Sequence, residues 1–268
     1  LAINDHGVMY GAVQFYEQCK KQGIKPIIGC EVYTAARKRT DKDPALDRNN
    51  GHLVLLVKDT QGYKNLIKIV SEAYRSGFYY KPRVDKELLR QYRGGMIALS
   101  ACLAGKVQQE LLEDNYEGAK AEALDLLDIF GEGNFYLELQ DQGLEEELKV
   151  NRGLKQLSKE TGIPMVCTND CHYIHREDAR AHDVLLCIGT KSNYSDPNRR
   201  RFANDQFYLK SEQEMRNLFA DVPQACDNTA EVAAKCNFDF EFGHYHIPVC
   251  QVPEGYSQND YFEFLCWS

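Results

Sequence analysis

Two short apolar runs in this chain lead straight into a carboxylate and an imidazole. Leu1-Ala2-Ile3 is followed by Asn4-Asp5-His6-Gly7, and Pro164-Met165-Val166-Cys167 by Thr168-Asn169-Asp170-Cys171-His172-Tyr173. Such runs read as buried strands. A third, Ile27-Ile28-Gly29-Cys30, ends in Glu31. Ligand-type side chains at the C-terminal ends of strands point to a barrel of parallel strands carrying a hydrolytic metal site. In an extended segment residues two apart face the same way, so Asp170 and His172 are expected to face one ion. Asp-His-Gly alone also fits a plain turn. Its recurrence with other strand-end ligands favours a site.

The intervening sequence alternates in kind. Tyr10 to Gln22 predicts a helix stopped by Gly23, Lys25 to Val32 a strand, residues 37 to 51 a polar loop, and Leu53 to Val57 a buried strand. Thr60 is placed to cap the next helix, whose stripe is Tyr63, Leu66, Ile67, Val70 and Tyr74. Strands are expected at Met96–Ser100, Phe135–Leu139 and Met165–Thr168, and helices near 106–113, 116–130, Leu144–Glu160 and Arg176–Ile188. This order predicts a parallel α/β sheet or barrel of about six strands over 1–190. After residue 190 the texture turns polar, with Arg199, Arg200 and Arg201 in a row and helices at Glu212–Phe219 and Cys226–Cys236. Residues 191–268 are expected to form an extension leading into a further domain. Leu1 stands inside an apolar run and the C-terminus inside a helix-like one, so a fragment of a longer protein is expected.

A net charge of −8 argues against a generic nucleic-acid binder. Any nucleic-acid contact must come from local patches or through divalent ions. The ten cysteines include no Cys-x-x-Cys pair, which argues against a zinc knuckle. Free thiols in apolar patterns suit a reducing cytoplasm. No apolar run approaches membrane-spanning length and no signal-peptide pattern is present, so no membrane partner is expected.

The segments Asn4–Gly11, Lys25–Tyr33 and Thr168–Tyr173 together resemble the polymerase and histidinol phosphatase (PHP) domain family. Others narrow the resemblance to the PHP domains at the front of bacterial replicative DNA polymerase III alpha subunits: His52–Leu56, Gly62–Leu66, Gly77–Arg83, Leu99–Gly105, Tyr136–Gln140, Ala181–Cys187 and Asp205–Lys210. The likeness spans nearly the whole chain. It implies a distorted (β/α)7-type PHP barrel, here without its first strand, with an extension toward a polymerase palm. It implies up to three divalent metals, zinc or manganese, with magnesium in the polymerase core. The matching ligand positions are His6, Glu31, His52, Asp170 and His172, with Asp5 as a ligand or an orienting group and Cys102 as a further position. His6, Asp170 and His172 would carry the catalysis. His52 precedes its apolar run, so spacing alone places it at the wrong strand end, and only the resemblance promotes it. The family's opening His-x-His motif, on the first barrel strand, is expected upstream of Leu1, and Asn4 stands where the family more often has Thr.

The resemblance implies a metal-dependent phosphoesterase with 3′–5′ exonuclease proofreading in the intact polymerase. The implied partners are DNA, the remainder of the alpha subunit, and replisome subunits such as a sliding clamp and a proofreading exonuclease. The isolated fragment is expected to be inactive. One alternative is a mainly structural, partner-docking domain. Another is a stand-alone PHP phosphatase, against which Gly77–Arg83 and the extension argue. Tyr80, Lys81 and Arg83, with Tyr79, mix rings and cations in a way that suits single strands or a neighbouring domain. His175, His182, His244 and His246 have no strand-end partner and read as surface or packing residues. The arginine run reads as a solvated loop or a phosphate contact.

Overall fold

The computed structural model describes residues 1–244, 247, 248 and 250–268. Residues 1–238 form one compact unit and residues 239–268 a second. Within the first lie strands β1 (Ala2–Ile3), β2 (Ile27–Ala35), β3 (Asn50–Val57), β4 (Phe78–Tyr79), β5 (Lys81–Val84), β6 (Met96–Leu99), β7 (Phe135–Leu139) and β8 (Met165–Cys167). Its helices are α1 (Ala12–Lys21), α2 (Thr60–Arg75), α3 (Lys86–Tyr92), α4 (Lys106–Leu112), α5 (Tyr116–Phe130), α6 (Glu145–Thr161), α7 (Ala179–Thr190), α8 (Glu212–Leu218) and α9 (Pro223–Lys235). The second unit holds α10 (Gln258–Trp267), whose Ser257 hydroxyl accepts from the Asp260 amide at 3.1 Å. Of the two histidines read as surface or packing residues in the 244–246 segment, His246 lies outside the described residues, as does Tyr245.

The strands form one curled sheet in the order β4-β5-β2-β3-β6-β7-β8, with β1 also paired to β2. Pairings are parallel for β1–β2, β2–β5, β6–β7 and β7–β8. They are antiparallel for β2–β3, β3–β6 and β4–β5, which corrects the all-parallel expectation. The cause is local. No helix separates β2 from β3, and a parallel return needs a crossover that residues 36–49 do not provide. Among the described residues β1 and β8 are not paired, so the barrel is open.

One face of the curl carries Ile27, Val54, Leu56, Ile97, Leu99, Tyr136 and Val166 as a buried core. Strand alternation puts Glu31, His52, Glu138 and Thr168 on the same face, one layer up. Val232 and Cys236, on α9 and just after it, join this core, and the Asn228 amide on α9 donates to the Met165 carbonyl at 2.8 Å. Residues 191–238 therefore belong to the same compact unit as the strands, beyond the expected boundary at 190.

Two local expectations change. The cap of α2 is Asp59 rather than Thr60, its carboxylate accepting from the Gly62 amide at 2.9 Å. The Gly77–Arg83 stretch, whose sequence shows no apolar alternation, forms the β4–β5 hairpin, which joins the sheet through Tyr33 opposite Arg83.

Candidate metal centre

β1 ends beside β2, and the backbone there is stitched by Glu31 N–H donating to the Asp5 carbonyl at 3.0 Å and Gly7 N–H to the Glu31 carbonyl at 2.9 Å. Gly7 has φ +67°, and a Cβ there would come within 3.0 Å of Pro82 and 3.1 Å of Tyr33. Glycine thus lets the chain turn closely enough to bring His6 over Glu31. β2 continues beyond Glu31 to Ala35, so Glu31 sits mid-strand rather than at a strand end. The Glu31 side chain is nonetheless at the sheet's working edge, because β1 stops short beside it.

His52 lies directly across from Tyr33 in the β2–β3 ladder, which makes it the diagonal neighbour of Glu31. β3 runs opposite to β2, so its N-terminal end lies at the edge where the parallel strands finish. The wrong-end reading of His52 is thereby corrected. His52 Nδ1 is 2.6 Å from Glu31 Oε1, and His6 Nε2 is 3.5 Å from the same oxygen. The two imidazoles meet edge to face at 5.1 Å. The ligand atoms of His6, Glu31 and His52 all lie within 4.8 Å of one another. Burial pushes the His6 imidazole below its ordinary value, against the opposing charge of Glu31. A neutral imidazole is the form that binds a metal.

Cys102 Sγ lies 3.7 Å from both Glu31 Oε1 and His52 Nδ1. Burial, then the charges of Glu31 and Asp170, push its thiol up, so in the metal-free chain it is a neutral thiol. Asp5 contributes its carbonyl to the ladder, and its carboxylate is not part of the three-residue group.

Asp170 and His172 do come together, with Oδ1 3.4 Å from Nε2. The expected extended geometry is corrected, since β8 ends at Cys167 and Asp170 has a left-handed backbone, φ 45°. The convergence comes from a turn held by other segments. His172 N–H donates to the Phe207 carbonyl at 2.9 Å, and Lys210 Nζ donates to Asn169 Oδ1 at 3.1 Å. The charges of both Asp170 and His172 act on His6, so the two clusters share one end of the sheet.

Two residues given no site role from the sequence matter here. Glu138 is buried behind the site, accepting from the Ala101 amide at 2.9 Å and from the Thr168 hydroxyl at 2.5 Å. It ties the residue before Cys102 to the segment carrying Asp170, and burial pushes its carboxyl up to about 7. Its place in β7, two residues past the core residue Tyr136 on the same face, is the signal that could have found it. His182 lies on α7, and its ring is 5.6 Å from that of His172. No sequence spacing signals that contact, because it depends on how α7 folds back.

The expected nucleic-acid group divides. Tyr80 is exposed, and Lys81 Nζ sits 5.2 Å from the centre of the Tyr33 ring, beside the metal-ligand cluster. Arg83 is fully buried and donates to the carbonyls of Gly77, Asp47, Arg39 and Asp41. It holds the loop after β2 against the hairpin and has no access to a strand, which corrects its assignment.

Three imidazole and carboxylate donors converging on one point, with a thiol beside them, fit zinc or manganese in donor chemistry. Residues 1–142 match the PHP domain family. Among named relatives, the DNA polymerase III subunit alpha of Treponema pallidum is 45% identical over 98% of this chain, and that of Thermus aquaticus 44% identical over 99%. That of Borreliella burgdorferi is 43% identical over 99%. The chain spans 22% of the length of the first two relatives and 23% of the third. With more than half of its residues matching the family and the expected ligands gathered at one end of an open barrel, the chain belongs to the PHP domain family.

Proposed function

We propose that this chain is the PHP portion of a bacterial replicative DNA polymerase alpha subunit. In the intact protein its metal centre would remove nucleotides from a DNA 3′ end, a 3′–5′ exonuclease activity. The observation that carries this reading is the convergence of His6, Glu31 and His52 within 4.8 Å, with Asp170 and His172 at the same end. His6, Glu31 and His52 would hold one divalent ion, and Asp170 and His172 would complete the cluster, with Cys102 beside them. Bound zinc or manganese supplies phosphoryl polarisation and a hydroxide nucleophile at neutral pH. Glu138 positions the Cys102 and Asp170 segments, and Lys81 at the rim attracts a phosphate. Nucleotide incorporation would use magnesium and carboxylates in a palm domain elsewhere in the parent. DNA, the rest of the alpha subunit, a sliding clamp and a separate proofreading exonuclease are the proposed partners, in the cytoplasm. No helix among the described residues is long and apolar enough to cross a membrane.

The test is metal-dependent release of nucleotides from a single-stranded 3′ end. This chain should be a poor catalyst and a longer chain with the upstream His-x-His residues a competent one. Inactivity of the longer chain with zinc, manganese and magnesium alike would contradict the reading.

A further inference from the structure

Beside the metal centre lies a cavity of about 310 Å³ between α7 and the 194–205 loop, lined by Arg180, His182, Tyr194, Arg201, Phe202 and Asn204 among others. Its two acidic residues are engaged. Asp183 is paired with Arg199 in a fork, and Asp205 with Arg176. Arg180 and Arg201 have no hydrogen bond or ion pair within 4 Å among the described residues. The Arg201 charge also acts on Asp183, but the arginines lining the cavity outnumber its acids, an excess of positive charge in a chain of net charge −8. Arg199 also lies 4.6 Å from the Tyr194 ring centre, covering one face of a ring that is half exposed.

The cavity adjoins the candidate site through Phe202. Its ring stacks on His182 at 4.9 Å with an interplanar angle of 7° and touches the His172 ring at 4.7 Å. Exposed Arg200 acts by charge on both His182, which lines the cavity, and Tyr33, whose ring meets that of His52. Guanidinium groups without partners suit phosphate oxygens, and an open ring face suits a base. A solvated arginine loop is the plain alternative, but it explains neither the cavity nor its junction with His172.

We propose that this cavity seats one nucleotide of a single strand whose neighbouring phosphate reaches the metal centre. Arg180 and Arg201 hold its phosphate and Tyr194 its base. The proposal rests on the phosphodiesterase reading for its direction of travel, but binding can be tested without catalysis.

The probe is a short fluorescein-labelled oligothymidylate, titrated with this chain in EDTA at several salt concentrations and read by anisotropy. The Arg180→Ala, Arg201→Ala double variant should bind at least about tenfold more weakly, and its salt slope should fall by about 0.7 per arginine removed. Tyr194→Ala should weaken binding about fivefold or more, and Tyr194→Phe should retain it. Arg75→Ala, an exposed arginine on α2, controls for loss of charge and should change little. Unchanged affinity and slope in the double variant would overturn the proposal. So would thymidine monophosphate competing as well as the strand does, which would mark a free-nucleotide site. Cavity-dependent binding together with an inactive longer chain would sink the phosphodiesterase reading alone. An active longer chain with cavity-independent binding would sink this inference alone.

Discussion

His52 Nδ1 lies 2.6 Å from Glu31 Oε1, although the two residues are 21 apart in sequence. They are diagonal neighbours across an antiparallel pair of strands, with Glu31 opposite Val54 and His52 opposite Tyr33. Without a metal, an imidazole N–H donating to the carboxylate accounts for the contact. A divalent ion between them would take the place of that proton. The strand reversal at β3 is therefore what assembles the centre.

Asp170→Asn in the intact parent should cut 3′-end hydrolysis at least about a hundredfold and leave nucleotide incorporation largely intact. Asn keeps the shape of Asp and loses the charge that holds a divalent ion. The check is parallel assays of nucleotide release and primer extension. If incorporation and thermal stability fell together, a bracing role for the metals would be favoured. Unchanged hydrolysis would remove Asp170 from the site.

Arg83→Met should destabilise this chain by roughly 3 to 5 kcal/mol, because carbonyls engaged by a buried guanidinium lose their donors. Denaturant unfolding measures it. A loss below about 1 kcal/mol would show that the loop after β2 finds other partners.

The Glu138 carboxyl predicts a pH signature. Its folded value, about 7, is raised above the ordinary 4.5, so its favourable contribution is full below the unfolded value and is lost as pH rises through the folded one. In chelator, the wild-type chain should lose roughly 2 to 3 kcal/mol relative to Glu138→Gln between about pH 5 and about pH 8. Any constant offset from the amide does not affect this slope. Unfolding midpoints across pH give it, and parallel curves would show that Glu138 is not a strained buried carboxyl.

Much of this was legible in the sequence. Strand and helix identities hold at Phe135–Leu139, at Tyr116–Phe130 and within a residue or two at α6, where apolar period and length agree. His6, Glu31, Asp170 and His172 were legible from ligand types following apolar runs. Strand direction at β3 was misjudged, although the helix-free loop before it was visible. Arg83 looked like a surface cation because burial of a guanidinium depends on carbonyls from segments about 40 residues away, which no local pattern reports. The support of His172 by Phe207 and of Asn169 by Lys210 was hidden for the same reason.

The most direct test of the metal centre is diffraction from crystals of this chain grown with zinc, with data collected at the zinc edge. The account predicts an anomalous peak bonded to His6, Glu31 and His52, with zinc–nitrogen distances of about 2.0 to 2.1 Å. A peak held by other residues, or no peak within reach of these three at saturating zinc, would contradict it.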